Sequence, residues 1–382
     1  MHTMSWSGRI GAVGVLLAAG LAAAQGPGVK RAGEDKWVKW QPGHYLRLSR
    51  NQAFDTPEKY AKVLKEIDSL CARMADGYKG ILLQIGWREL EPERGHYKFD
   101  IVRDALETVA RHDKYMMLRV LDRSFHGKGY RRTLPEYLIA SPSNYFHWKN
   151  GTMLKLWKPA IADREIALLQ ALAREFDLHP RLVGYITEET SMMHAHVVPE
   201  SEFDQGAYAR EVARIVLEGG GTFRHTPFVQ AINCGMGPDK PNPYFQTVVD
   251  AVLKIPAGGL SHPDTFPCTD EEFAGRAAPT RASHYYERKY GDRIAIFPQT
   301  QANVNKKKYG PPEKAMELLV RTGVDYLGGH AMVWDPWPWF FKDGVGDAYL
   351  KAQNFRVNTS CPTGFGRCVA RPAGGAQRAI VR

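Results

Sequence analysis

The chain has only five cysteines in 382 residues, with no CxxC pair and no His/Cys cluster at zinc-binding spacing. A structural zinc ribbon and a dithiol redox motif are therefore not what organises it. After residue 24 no apolar run approaches the roughly 20 residues that a membrane-spanning helix needs. No repeat recurs at a solenoid or propeller period. No Gly-rich phosphate turn follows the first strand-like segment, which weakens an open doubly wound sheet as the fold. No cofactor and no metal is implied.

What is present begins at the N-terminus. Arg9 precedes an apolar stretch from Ile10 to Ala24, and Ala22-Ala23-Ala24 offers small residues for cleavage before Gln25. The stretch is short for a membrane anchor. It reads as a cleaved signal peptide over residues 1–24, with export to the periplasm or the extracellular space and no stable membrane insertion afterwards. In an oxidising compartment Cys361 and Cys368 are placed to pair, Cys234 and Cys268 are a second candidate pair, and Cys71 is left as a buried thiol. The formal net charge of +10 favours anionic partners in general. Arg367, Arg371, Arg378 and Arg382 put part of that excess in the last stretch of chain, so charge decides little, and nucleic acid is not the expected partner.

Between these ends, short apolar runs alternate with helix-like segments. Strands are expected at His44–Leu48, Gly80–Ile85, Tyr115–Leu121, Leu182–Thr187, Phe228–Ile232, Gly258–His262, Arg293–Phe297 and Val324–Val333. Helices are expected at Pro57–Met74, Ile101–His112, Asp163–Phe176, Tyr208–Leu217 and Pro312–Thr322, the first capped by Thr56 ahead of Pro57. Strand-helix units at even spacing predict parallel βαβ pairing. Eight of them without a linker predict an α/β fold, a single (β/α)8 TIM barrel over residues 37–352. Residues 353–382, rich in Gly, Pro and Arg, are expected to form an irregular tail.

In such a barrel the chemistry sits at the C-terminal tips of the strands. The sequence from Leu182 to Thr187 is an apolar run ending in two adjacent acids, Glu188 and Glu189. The other expected tips supply Trp87, Arg88 and Glu91 after strand two, Asp122 and Arg123 after strand three, and Asn233 after strand five. His262 and Asp264 follow strand six, Gln299 and Gln301 strand seven, and Trp334, Asp335 and Trp337 strand eight. Acids, amides and indoles suit sugars, because carboxylates and amides bond hydroxyls and aromatic faces cover the apolar faces of pyranose rings.

Two segments resemble the large clan of (β/α)8 glycoside hydrolases that includes cellulase-like and β-galactosidase-like enzymes. One runs Trp87-Arg88-Glu89-Leu90-Glu91-Pro92-Glu93-Arg94-Gly95-His96-Tyr97-Lys98-Phe99-Asp100; the other runs from Phe176-Asp177-Leu178-His179-Pro180 through Val183-Gly184-Tyr185 into the paired acids. The resemblance implies that Glu189 is the general acid, with Glu188, which stands where the clan has Asn, as the alternative, and that Trp334 is a sugar platform. Two adjacent acids raise at least one pKa by repulsion, as a general acid near neutral pH requires.

The clan's strand-seven nucleophile is a Glu, whereas this chain has Phe297-Pro298-Gln299-Thr300-Gln301. An amide cannot form a glycosyl ester. Three explanations stand: a different strand register, Asp264 as the base of an inverting reaction, or a barrel that binds glycans without cleaving them. The expected function is thus an exported glycoside hydrolase acting on a poly- or oligosaccharide. The alternative is a non-catalytic glycan-binding barrel. A lyase on anionic sugars, with Arg88, Arg119 and Arg123 neutralising uronates, is a third reading.

Overall fold

Eight strands pair side by side, all parallel: β1 Gly43–Arg47, β2 Tyr78–Gly86, β3 Tyr115–Leu121, β4 Leu182–Ile186, β5 Phe228–Ala231, β6 Gly258–Ser261, β7 Ala295–Ile296 and β8 Ala331–Trp334. In this computed structural model residues 36–48, 56–124, 133–148, 151–192, 202–233, 240–269, 271–272, 281–300, 309–335, 337–341 and 343–370 are described. Each strand from β1 to β7 bonds to the next, and β8 bonds to β1. Residues just past β7 close the last gap: Val333 N–H donates to Pro298 O at 2.9 Å and Thr300 N–H to Val333 O at 2.8 Å. The result is the expected (β/α)8 TIM barrel.

Among the described residues the longer helices that follow the strands are α1 Pro57–Arg73, α2 Asp100–Arg111, α3 Pro159–Phe176, α4 Gln205–Arg214, α5 Pro243–Val252, α6 Ala282–Tyr290, α7 Pro312–Val320 and α8 Val345–Ala352. Thr56 caps α1 as expected, its hydroxyl accepting from Lys59 N–H at 3.3 Å. The long connection between β3 and α3 folds into a small antiparallel sheet of Arg123–Ser124, Tyr145–Trp148 and Gly151–Leu154. Among the described residues no helix is long and apolar enough to cross a membrane.

Strand eight is shorter than its hydropathy predicts. The apolar run from Val324 opens inside a π-helical turn, 321–326, that continues α7. Gly328, at φ +71°, then turns the chain, and the strand begins only at Ala331. A short apolar run does not by itself distinguish a buried helix end from a strand.

One cluster, including Tyr45, Leu82, Met117, Ile186, Val229, Ala295, Phe297 and Val333, fills the barrel interior, while Leu46, Leu83, Leu118, Tyr185, Ile296 and Met332 pack outward against the helices. Where β2 lies on β3 the backbones touch so closely that a Cβ on Gly80 would stand 1.8 Å from Tyr115 O. The N-terminal end of the barrel is closed by the segment beyond α8. Arg367–Val369 pairs in parallel with Trp37–Lys39. Trp40 donates to Thr359 O at 3.1 Å and meets Phe365 edge-on, with ring centroids 5.6 Å apart. The expected Cys361–Cys368 disulfide pins this segment. Cys71 is a buried thiol that burial pushes up to about 12. Cys234, the candidate partner of Cys268, lies outside the described residues.

Four histidines, of which His44, His262 and His330 are buried and His179 is half-buried, share one arrangement: Nδ1 accepts an N–H, so the ring stays neutral. The donors are Trp334 Nε1 to His44 (2.8 Å), Arg181 N–H to His179 (3.2 Å), Asp264 N–H to His262 (2.9 Å) and Ile296 N–H to His330 (3.1 Å). Burial lowers His44, His179 and His330 to about 4 and His262 well below the usual range.

Two outcomes follow from this packing. Gly80→Ala is expected to cost about 3 kcal/mol, because the clash is with backbone that cannot move aside; urea unfolding of the variant checks it. Acid is expected to destabilise the fold through the histidines. Their folded pKa values lie below the unfolded value of about 6.5, so between about pH 6.5 and 4 the unfolded chain binds more protons than the folded one, and stability falls as pH falls. Each histidine contributes a slope of up to ~1.4 kcal/mol per pH unit. Unfolding midpoints measured from pH 7 to 4 read this directly, and a flat profile would contradict the neutral rings.

Candidate active site

Side chains on a strand alternate faces, so the lumen row of each strand continues two residues past its last apolar member. Tyr45 is followed by Arg47, Leu82 by Gln84, Met117 by Arg119, Ala231 by Asn233, Phe297 by Gln299 and Val333 by Asp335. The apolar interior is thereby topped by a polar layer, in which all but the half-buried Arg47 are buried. Arg47 pairs with Asp335 across the β1–β8 seam. Asp335 N–H also donates to Thr300 Oγ1 at 3.1 Å, which ties that acid to the closure of the barrel.

The two acids at the tip of β4 part company. Glu189 Oε2 accepts from Asn233 Nδ2 at 2.5 Å. The asparagine is fixed in turn by Thr190, whose hydroxyl donates to Asn233 O at 3.1 Å and accepts Asn233 N–H at 3.0 Å. Tyr208 on α4 secures Thr190 through its carbonyl at 3.0 Å. Glu188 instead lies within electrostatic reach of Arg123, and its carboxylate takes a long 3.4 Å bond from Glu189 N–H.

Arg123 is forked on Asp122, at 2.7 and 2.8 Å, and donates to Ser191 O at 2.9 Å. Behind this group stands Glu165 on α3. Burial, reinforced by the charge of Asp122, pushes its carboxyl up to about 8. A cavity of about 20 Å³ is lined by Asp122, Arg123, Glu165, Glu188, Glu189 and Tyr208 together with neighbouring apolar groups. Among the described residues no group of three His, Cys, Asp or Glu side chains could hold a metal ion.

The structure therefore brings together Glu188, Glu189, Asp122, Arg123 and Asn233, and places Gln299 and Asp335 in the same polar layer. Asp264 is half-buried on the loop after β6. That loop stays with the barrel mouth because Thr265 N–H donates to Gln299 O at 2.8 Å.

Other expected site residues are elsewhere. Trp87 is fully buried and donates to Glu91 Oε2 at 2.8 Å. Glu91, equally buried, also accepts from Gly95 N–H at 2.8 Å and pairs with Arg164 on α3. This segment is a clasp for the loop, with Gly95 at φ +79°, and its indole and carboxylate are not presented to a ligand. Arg88 forms a surface pair with Glu136 at 2.6 Å.

Trp334 points outward, since Val333 takes the lumen position; its ring is fully buried and stacked near His44 at 5.8 Å, so it cannot serve as a sugar platform. His262 likewise faces outward, its ring 5.1 Å from that of His284 on α6. Trp337 is buried with its ring 4.9 Å from that of Trp339. Gln301 lies outside the described residues.

Sequence reasoning missed Arg47, Gln84 and Glu165. The first two were legible, since each stands two residues beyond an apolar lumen position. Glu165 was not, because it sits within a helix whose periodicity gives no reason to single it out.

No protein-family profile matches the chain, and no curated protein matches it. Solved structures of similar shape are glycoside hydrolases. A GH5_18 protein from Streptomyces cattleya, solved in complex with Manβ1-4GlcNAc, is 12% identical over 77% of this chain and 70% of its own, with a TM-score of 0.51. Xylanase 10B from Thermotoga petrophila RKU-1, in complex with xylobiose, is 9% identical, with 82% of this chain and 95% of its own covered and a TM-score of 0.49. Endo-glycoceramidase II from Rhodococcus sp. is 14% identical, with 80% and 75% covered and a TM-score of 0.47. At these identities the likeness is one of fold.

The clasp assignment makes a clear prediction. Glu91→Ala leaves Arg164 and the buried Trp87 indole without their acceptor and is expected to cost about 3 kcal/mol of stability. Ligand affinity measured on the folded fraction should stay unchanged. A weakened ligand with an unchanged unfolding midpoint would instead put Glu91 in the site.

Proposed function

We propose that the chain is an exported glycoside hydrolase that cleaves glycosidic bonds in a poly- or oligosaccharide, with Glu189 as the general acid. The observation that carries this reading is the bond from Asn233 Nδ2 to Glu189 Oε2 at 2.5 Å. It fixes one carboxyl group at the C-terminal mouth of a (β/α)8 barrel, where enzymes of this fold do their chemistry. Export is supported by the Cys361–Cys368 disulfide, a bond that persists in oxidising compartments. The shared fold of the GH5_18 protein is consistent with the reading and does not by itself assign an activity.

Gln299 in the strand-seven row offers no carboxylate, so a covalent glycosyl ester is not proposed there. Asp335 is engaged by Arg47. This leaves Asp264 as the proposed base, activating a water for direct displacement while Glu189 protonates the departing oxygen. Arg47, Gln84 and Arg119 would face hydroxyl or anionic groups of the sugar. Gln299 also supports a second reading, a barrel that binds glycan without cleaving it.

Glu189→Gln separates the two. The amide keeps the size of the side chain and its acceptor oxygen toward Asn233, so the fold should survive. Loss of the acid is expected to lower kcat about 10³-fold, read as reducing sugar released from a panel of neutral and uronate-bearing polysaccharides. Full activity in the variant would remove Glu189 from the reaction. A native chain that binds a glycan but releases no product would establish the binding barrel instead.

A further inference from the structure

Among the described residues, four acids and one cation border a single cavity in the sector behind β4. Asp122, Glu165, Glu188 and Glu189 border one small cavity, and Arg123, the cation beside them, is forked on Asp122. Tyr185 from β4 and Tyr208 from α4 complete the surroundings of Glu165, and both are held as neutral phenols by burial. Carboxylates gathered around one cavity repel one another, which favours a retained proton on one of them.

Glu165 is the group whose place in the fold does not otherwise explain it. It stands on a helix, its Oε2 is shielded from solvent, and that atom has no hydrogen-bond partner among the described residues. A buried polar atom of that kind calls for a partner. The adjoining cavity, at about 20 Å³, has room for one water with polar groups on several sides.

We infer that Glu165 is a positioning residue for the β4 tip: as a neutral acid it donates through one water in this cavity to Glu188, and so keeps Glu188 the charged neighbour that holds the proton on Glu189. The chain of causes is electrostatic. A donor reaching Glu188 favours its anion, and an anion at Glu188 disfavours a second one at Glu189. The side chain that does the chemistry is then the one that keeps its proton. Glu165 touches no substrate. The inference builds on the proposed role of Glu189, yet the protonation pattern it describes exists whether or not a glycan is cleaved.

The experiment compares native chain, Glu165→Leu and Glu165→Gln with two readouts. Infrared difference spectra of the carboxyl band during a pH titration, with Glu188→Gln as the reference that removes the Glu188 signal, need no substrate. The native chain should show a protonated carboxyl that titrates near pH 8, a step absent from both Glu165 variants. Glu188 should titrate about one pH unit higher in Glu165→Leu than in Glu165→Gln, whose amide still donates. In parallel, kcat/KM against pH should show its alkaline limb about one unit lower in Glu165→Leu, at unchanged KM, with Glu165→Gln restoring it.

Leu and Gln variants in which Glu188 titrates at the same pH overturn the inference, as does a Glu165→Leu chain that loses only thermal stability. Should Glu165→Leu not fold, the loss of the step near pH 8 in Glu165→Gln and a crystallographic water between Glu165 and Glu188 decide it, absence of either counting against. If the spectra behave as stated and no glycan is cleaved, the hydrolase reading fails and this one stands. If cleavage depends on Glu189 but neither band nor limb moves, the reverse holds.

Discussion

The seam between β7 and β8 is the constraint on which the rest of the molecule depends. A parallel barrel is stable only when its last strand finds its first, because an open edge leaves a row of backbone donors and acceptors unpaired. Here β7 is two residues long, and closure falls to the chain just beyond it. Pro298 O and Thr300 N–H bond to Val333, while the main chain of Gln299 joins the β6 side, donating to His262 O at 3.1 Å and accepting from Thr265 at 2.8 Å. The segment that would carry a nucleophile in a retaining glycosidase is thus also the segment that zips the barrel. Its side chains are enlisted too, since Thr300 Oγ1 accepts Asp335 N–H.

That closure explains where the polar layer lies. Once the register is fixed, every lumen row runs from apolar members to a polar one at the mouth, and Arg47, Gln84, Arg119, Asn233, Gln299 and Asp335 arrive at one level without a dedicated loop to place them. Burial of so many polar groups in one layer requires that they satisfy each other or a ligand. The Arg47–Asp335 pair and the Asn233–Glu189 bond account for part of the layer. Gln84 has no hydrogen-bond partner for its amide among the described residues, so hydrogen-bonding capacity on the β2 side of the layer is left unused.

The fold was legible because period-two apolar runs and helical stripes report directly on burial. Thr56 and Pro57 announced α1, and the run from Leu182 announced β4 with its acids at the tip. What failed to show were directions. Trp334 and His262 look like tip residues in sequence, but Val333 and Ser261 occupy the lumen positions beside them, and one step along a strand reverses the face. The Trp87–Glu91 segment matched a known pattern, yet its side chains are spent on one another and on Arg164. A motif records which residues recur near a site, and does not say which of them touch the ligand.

The adjacent acids of β4 show how far local geometry can be pushed toward chemistry. Identical in type and one residue apart, they receive different neighbours because the strand ends at Ile186 and the chain beyond it is free to bend. Glu189 is handed to an amide that is itself locked at both its backbone groups by Thr190, so its position is as rigid as the strands. Glu188 lies within electrostatic reach of a guanidinium already bonded to Asp122 and Ser191. A carboxyl held by a neutral donor and a carboxyl beside a shared cation differ in proton affinity even when their sequence surroundings are the same. Under the role proposed for Glu189, the asymmetry a general acid needs would come from Thr190, Asn233, Asp122 and Arg123 around the two acids.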